Sequence, residues 1–158
     1  RVLEQQRHVL ERMDIPPAER VAKIELQSRI NAAVMSGRGW EALPPEVRKQ
    51  ADTPWFQSFL MFDPARVIRD VRQPVLFIHG ELDAEVPVSH LDRLGELAQK
   101  DGRSRSVAVV AVRGVNHLLT PAVTGDVAEY ASLPNRNVSS DVTKAITEWL
   151  TKAFQSAR

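Results

Sequence analysis

The first third of the chain alternates apolar and polar positions with the period of an amphipathic helix. Apolar residues recur on one helix face at Val2, Leu3, Val9, Leu10 and Met13. Residues 14–17 interrupt the pattern, and a second helix is predicted to begin at Pro17 and to end at the glycines within residues 37–39. Both sides of this second helix carry apolar residues, so we expect both to be covered. A short third helical stretch follows residues 44–45.

The second half of the chain has a different pattern, in which short apolar runs alternate with amphipathic segments. Residues 75–78 and 107–112 are continuous apolar runs, typical of parallel strands buried on both faces. A helix is predicted between them, over residues 89–100, and a long loop after them, over residues 113–139. The last helix is predicted to begin at residue 140 or 141. Its expected buried face consists of Val142, Ile146, Trp149, Leu150 and Ala153. This order of strands and helices predicts an α/β fold.

Two parallel strands do not make a stable sheet alone. Strands that are apolar on both faces need neighbours, and a two-stranded pair leaves long apolar edges. We therefore expect the strands to be completed by another polypeptide. The chain also begins without Met, in a segment that reads as mid-helix, which suggests a fragment or a processed chain.

Composition narrows the function classes. The chain has 158 residues, of which 43% are hydrophobic and 26% charged, with a net charge of +1. Evenly mixed charges argue against nucleic acid or an anionic membrane as a partner. Its apolar runs are too short to cross a bilayer. There is no cysteine, which removes disulfides and thiolate chemistry and leaves the compartment open, with the cytoplasm slightly favoured.

Two polar residues follow the predicted strands. Asp83 lies in GELDAEVP after the first strand, and His117 lies in GVNH after the second. Functional groups in open α/β sheets gather at the carboxyl ends of strands, so these two loops should open at one edge. A carboxylate there can accept a hydrogen bond from imidazole Nδ1 and stabilise the imidazolium. The simpler interpretations are a turn carboxylate that caps the next helix for Asp83, and a loop histidine bonded to backbone for His117.

The remaining polar and aromatic candidates favour structural roles. His79 is expected to be packed at a strand end, and Asn116 to organise its loop. Solvent exposure is the expectation for four others, namely His8, His90, Glu81 and Glu85. Packing that seats a helical lid is the expectation for Trp55, Phe56, Phe59 and Phe62, one or two of which could line an acyl pocket. No His, Asp and Glu spacing is typical of a metal site, and we expect neither a metal nor a cofactor.

These segments together resemble the end of an α/β-hydrolase, and most closely the bacterial esterase- and peptidase-like members. The resemblance is carried by PVLFIHGELDAEVPVSHL, VAVVAVRGVNHLL and DVTKAITEWL, and by TPWFQSFLMFDPARVIRDVRQPVL and TPAVTGDVAEYA around them. It runs from about residue 52 to residue 149. It implies the C-terminal portion of an α/β-hydrolase core over residues 52–158, preceded by a helical lid over residues 1–51.

The resemblance also implies roles and partners. Asp83 matches the family's triad acid and His117 its general base, in a serine hydrolase acting on small ester or related acyl substrates. The order Ser, Asp, His places the nucleophile upstream of Asp83. No Gly-x-Ser-x-Gly occurs, and the serine at residue 36 has the wrong spacing. The implied partner is therefore the remaining N-terminal part of the hydrolase, or another copy of the chain.

Two other classes of function stay open at this point. One is a non-catalytic fragment or one chain of a heteromeric enzyme. The other is a binding or scaffolding module that keeps the hydrolase frame without catalysis. A Gly-x-Ser-x-Gly upstream of residue 1 would favour the hydrolase, and its absence would favour the scaffold.

Overall fold

The computed structural model describes residues 2–100 and 102–155. The chain divides into two compact units, one ending at Asp63 and the other beginning at Pro64. The predicted boundary between lid and hydrolase core, at residues 51 and 52, stays a prediction. Helices of the first unit are α1 (Val2–Arg12), α2 (Pro17–Ser36), α3 (Pro45–Ala51) and α4 (Pro54–Met61), with a 3-10 turn over Trp40–Ala42. The second unit contains α5 (Pro64–Asp70), β1 (Val75–Gly80), α6 (Ser89–Lys100), β2 (Val107–Val112), a 3-10 segment over Val127–Ser132, and α7 (Ser140–Gln155).

The core of the first unit forms where the chain turns back after α2. Gly37 ends α2 in the left-handed conformation, with φ of 70°. Trp40 and Leu43 then bury against Ala33 and Val34 in the last turns of the helix. Helix α4 begins with a proline at its first position, and the Thr53 side chain caps it by accepting a hydrogen bond from the backbone N–H of residue 56. This helix also packs on α2.

The expectation that α2 is covered on both sides is wrong. Val21, Leu26 and Met35 are exposed by 54%, 39% and 56%. Burial is confined to the C-terminal turns because only there does the returning segment cover the helix within this unit. The aromatic residues of α4 also differ from expectation. Trp55 and Phe59 stack on each other at 5.6 Å yet stay 71% and 45% exposed.

The second unit is built on a two-stranded parallel sheet. Residues of β1 and β2 pair in register from Val75↔Val107 to Gly80↔Val112. The connection between the strands contains α6, as predicted, because parallel neighbours need a long crossover. Both strands therefore end at the same edge, where the candidate loops begin.

One helix covers each face of this sheet. A Cβ at Gly95 of α6 would lie 2.6 Å from Val109 Cγ2, so α6 lies close against Val109. Val142 of α7 packs instead with Val110 and Val112, which belong to the opposite face because side chains alternate along a strand. Helix, sheet and helix thus form three layers, and the α/β class is confirmed at this level.

Burial in the second unit is less complete than predicted. The strands are mostly half-buried rather than covered on both faces, and Val109 is 37% exposed. In α7, Val142 is fully buried, but Ile146 and Leu150, predicted in the core, are 36% and 39% exposed. The reason is geometric, since a sheet of two strands is too narrow to cover a helix of four turns.

Candidate active site

The loops after β1 and β2 are joined directly at the carboxyl end of the sheet. Backbone N–H groups of Glu81 and Leu82 donate to the carbonyls of Val112 and Val115, both at 2.9 Å. This approach requires glycine at residue 80, because a Cβ there would lie 2.2 Å from the Val115 carbonyl oxygen. The two loops are therefore held at a fixed separation by backbone contacts.

Asp83 is fixed within the first of these loops. Its side chain is only 6% exposed. Oδ1 accepts backbone hydrogen bonds from Glu85 at 2.9 Å and Val86 at 2.8 Å. These two bonds set the orientation of the carboxylate and leave Oδ2 for a partner from outside the loop. Asp83 is thus a turn carboxylate whose backbone bonds lie ahead of α6, rather than in the first turn of that helix as its simpler interpretation had it, and it is also aimed at another side chain.

His117 is that partner. Its Nδ1 lies 2.8 Å from Asp83 Oδ2, which confirms the predicted contact between the two loops. An ionised carboxylate only accepts hydrogen bonds, so Nδ1 donates and the lone pair of the neutral ring is at Nε2. The His117 side chain is 39% exposed. A ring oriented by a buried carboxylate and open to solvent can take a proton at Nε2 and return it.

Asn116 holds the backbone that presents His117. It is fully buried, and its Oδ1 accepts from the backbone of Leu118 at 3.0 Å and of Thr120 at 3.1 Å. The Thr120 hydroxyl donates to the same oxygen at 2.9 Å. Asn116 therefore organises the loop, as predicted. Leu119 lies inside this turn with φ of 59°, a strained conformation for a residue with a branched side chain.

After the loop that carries His117, residues 123–129 form a second loop. The contacts of this loop were not predicted. The Glu129 carboxylate accepts from the backbone of Val123, Thr124 and Gly125 and from the Thr124 hydroxyl, at 2.8–3.0 Å. The backbone hydrogen bond from Val123 and the hydroxyl of Thr124 lower the pKa of Glu129 to about 2. Gly125 lies so close to Leu82 that a Cβ would be 1.7 Å from its carbonyl oxygen. This loop is thereby anchored against the loop that carries Asp83.

Tyr130 adds a side-chain contact between the same two loops. Its hydroxyl donates to Glu85 Oε1 at 2.8 Å. Burial, followed by this hydrogen bond, raises the pKa of Tyr130. Glu85 was expected to be a solvent-exposed charge, and this expectation is wrong, because Glu85 is half-buried and accepts the hydrogen bond from Tyr130. Glu81 is exposed, as expected.

Two of the other three histidines are more enclosed than expected. His8 and His90 are half-buried rather than solvated on helix exteriors. His79 lies at the end of β1 with its side chain 11% exposed, which agrees with packing at a strand end. Its Nε2, however, lies only 3.4 Å from Asp83 Oδ2.

A complete catalytic centre would need further groups beside His117. Within residues 2–100 and 102–155 no serine hydroxyl bonds to the His117 ring, and no three His, Asp or Glu side chains form a metal-binding group. The serine at residue 36 ends α2, where its hydroxyl donates to the Ala32 carbonyl at 2.7 Å. Of the described helices, none is long and apolar enough to cross a membrane.

Comparisons with known proteins add no family. No protein-family model matches the chain, and neither a curated protein nor a solved structure matches it. The geometry of the site is therefore the basis for function.

Proposed function

We propose that Asp83 and His117 are the acid and the general base of a Ser–His–Asp triad, in a serine hydrolase that acts on esters or related acyl compounds. The observation that carries the proposal is the 2.8 Å contact between His117 Nδ1 and a carboxylate that is 6% exposed. A histidine oriented by a shielded carboxylate is the arrangement that acyl transfer by a serine requires.

Each residue has a defined part in this reaction. The serine hydroxyl attacks the substrate carbonyl carbon while its proton passes to His117 Nε2. The charge that this creates on the imidazolium is stabilised by Asp83, which stays ionised. His117 then gives the proton to the departing alkoxide, leaving an acyl-enzyme. Water repeats the sequence, with His117 taking a proton from it, and releases the acid and the serine.

The nucleophile and the oxyanion-hole donors belong, in this proposal, to a part of the hydrolase that precedes Asp83. The partner that would carry them is the N-terminal part of the hydrolase or another copy of the chain. Support comes from the sheet, whose two strands are paired only with each other among the described residues, and whose Val109 stays 37% exposed. Apolar residues on α7, namely Ile146, Leu150 and Phe154, also stay exposed at the spacing of one helix face.

Sedimentation of the chain alone tests this need for a partner. Burial of apolar surface contributes about 25 cal/mol per Å², and a small domain has a stability of only about 5–15 kcal/mol. A two-stranded sheet with unpaired outer edges should therefore not persist. We expect self-association or a non-cooperative thermal transition. A monodisperse 17.7 kDa species with a cooperative transition would contradict the expectation.

Replacement of His117 tests the reaction itself. In the intact protein, His117→Ala should lower kcat for a p-nitrophenyl ester on the order of 10⁴-fold to 10⁶-fold. The melting temperature should change little, because the side chain is partly exposed and makes one hydrogen bond. His8→Ala removes a histidine from α1 and serves as the control. Activity of His117→Ala within tenfold of the wild type would refute the role.

A non-catalytic binding module that keeps the hydrolase frame is the second candidate. The observation that favours it is that, among the described residues, no serine hydroxyl forms a hydrogen bond with the His117 ring. The two candidates differ in one measurement, because only a hydrolase turns over esters in a His117-dependent way.

A further inference from the structure

A second histidine lies against the acid of the candidate triad. His79 is in the last residues of β1, and its side chain is 11% exposed. Its Nδ1 lies 2.8 Å from the backbone carbonyl oxygen of Gly80. Because a carbonyl oxygen can only accept a hydrogen bond, Nδ1 carries a hydrogen.

The surroundings of the other ring nitrogen, Nε2, are unfavourable for a neutral ring. Nε2 of His79 is shielded from solvent and has no hydrogen-bond partner, and 3.4 Å away is Asp83 Oδ2. In a neutral ring protonated at Nδ1, Nε2 has only a lone pair. A lone pair would then lie on an atom 3.4 Å from a carboxylate oxygen, so that two acceptors would be neighbours in a shielded site. Such an arrangement is costly unless a proton lies between the two atoms.

The proton belongs on the histidine rather than on the carboxylate. Asp83 already accepts from the backbone of Glu85 and Val86 at Oδ1 and from His117 at Oδ2. Three donors directed at one carboxylate match the acceptor-only form of the group. Among the described residues, Asp83 is also the only carboxylate within ion-pair distance of the His79 ring.

We propose that His79 is a positioning residue that carries a proton on both ring nitrogens and, as an imidazolium, forms an ion pair through Nε2 with Asp83 Oδ2, 3.4 Å away. Asp83 is then held by two imidazoles, one from each strand end. His79 limits the rotation of the carboxylate and offsets part of its charge, and so sets how strongly Asp83 attracts the proton on His117. This inference rests on the proposed function for its catalytic consequence, but not for the protonation state of His79.

Nitrogen NMR of the intact protein, labelled with ¹⁵N at histidine and studied in the assembly in which it is isolated, tests the protonation state. Both ring nitrogens of His79 should resonate in the range of nitrogens that carry a hydrogen at neutral pH. His79→Gln identifies the signals, and His8→Gln is the matched control. An Nε2 resonance in the range of a free lone pair would overturn the inference, whether or not the protein hydrolyses esters.

Kinetics test the positioning role. His79→Phe keeps a ring of similar size without a donor, and His79→Gln keeps an amide donor that can reach the carboxylate. Loss of an outer partner of a metal-binding histidine costs about 10-fold to 100-fold, and we expect His79→Phe to lower kcat by a factor of the same order with KM nearly unchanged. His79→Gln should recover part of the loss, and the His117 Nδ1–H resonance should move in His79→Phe. Wild-type kcat in His79→Phe, or equal kcat in the two variants, would overturn the role.

Failure of the proposed function gives a different result. In that case the wild-type protein shows no ester turnover at all, while the NMR measurement still reports the state of His79.

Discussion

Asp83→Asn removes the charge of the acid in the proposed triad with almost no change of shape. The asparagine carbonyl can take the place of Oδ1 and keep the bonds from the backbone of Glu85 and Val86, which measure 2.9 and 2.8 Å. Its NH₂ group then stands where Oδ2 accepted from His117 Nδ1 at 2.8 Å. A donor at that position forces His117 to present a lone pair at Nδ1 and a hydrogen at Nε2. The ring can no longer accept the serine proton.

The expected loss follows from this wrong tautomer. The same change in a serine protease triad costs about 10⁴ in kcat, which corresponds to about 5.5 kcal/mol of transition-state stabilisation. Stability should fall far less, because the two backbone bonds to Oδ1 survive. Ester turnover and thermal unfolding of the intact protein measure the two effects, and Asp92→Asn on the exposed side of α6 is the matched control. A loss of less than tenfold in kcat would refute the reasoning. So would unfolding of the variant at the assay temperature, because the loss of activity would then follow from loss of the folded state.

Three further predictions concern the loops that hold this pair. Gly125→Ala should cost at least about 1 kcal/mol more stability than Gly37→Ala. Both glycines have positive φ, but of the two only Gly125 would place the added Cβ against a carbonyl oxygen, at 1.7 Å. Equal losses of stability in thermal unfolding would contradict this. Asn116→Ala should cost about 1–3 kcal/mol in denaturant unfolding, because it leaves three donors, two of them buried, without an acceptor, whereas the exposed Asn135→Ala should cost little. The folded-state pKa of Glu129 is lowered from 4.5 to about 2, so its stabilising effect is complete above about pH 4.5 and is lost as the pH falls towards 2. The difference in melting temperature between wild type and Glu129→Gln should therefore narrow over that range, and a constant difference would contradict the assignment.

The contact between Asp83 and His117 could be predicted because it depends on topology. Two apolar runs joined by a helix predict parallel strands, and parallel strands end at one edge of a sheet. The residues that follow them must then lie near each other. The distance of 2.8 Å agrees with that expectation, and no detail of packing was needed to reach it.

Contacts that depend on the path of a loop could not be predicted in the same way. Glu129 bonds to the backbone N–H groups of residues 123–125, and backbone donors leave no mark in the sequence. Tyr130 and Glu85 are 45 positions apart and meet only because two loops are stacked. The orientation of His79 towards Asp83 is of this kind as well, since the sequence indicates a packed ring but not what each nitrogen faces.

Burial was predicted least well where a helix had more apolar residues than its unit could cover. The period of α7 correctly identifies an apolar face, and Val142 at its start is fully buried. The same face continues to Phe154, which is 70% exposed. The period of apolar residues indicates which face of a helix packs against the protein. How much of that face is buried depends on how many strands lie beneath the helix.

Labelling with a fluorophosphonate tests the central claim most directly, because the reagent bonds only to a serine activated by a neighbouring base. The intact protein should be labelled at one serine that precedes Asp83 in the chain order of the enzyme. His117→Ala should abolish labelling, and His8→Ala should leave it unchanged. Absence of labelling in the wild type, or equal labelling of wild type and His117→Ala, would contradict the assignment of Asp83 and His117 to a serine hydrolase triad.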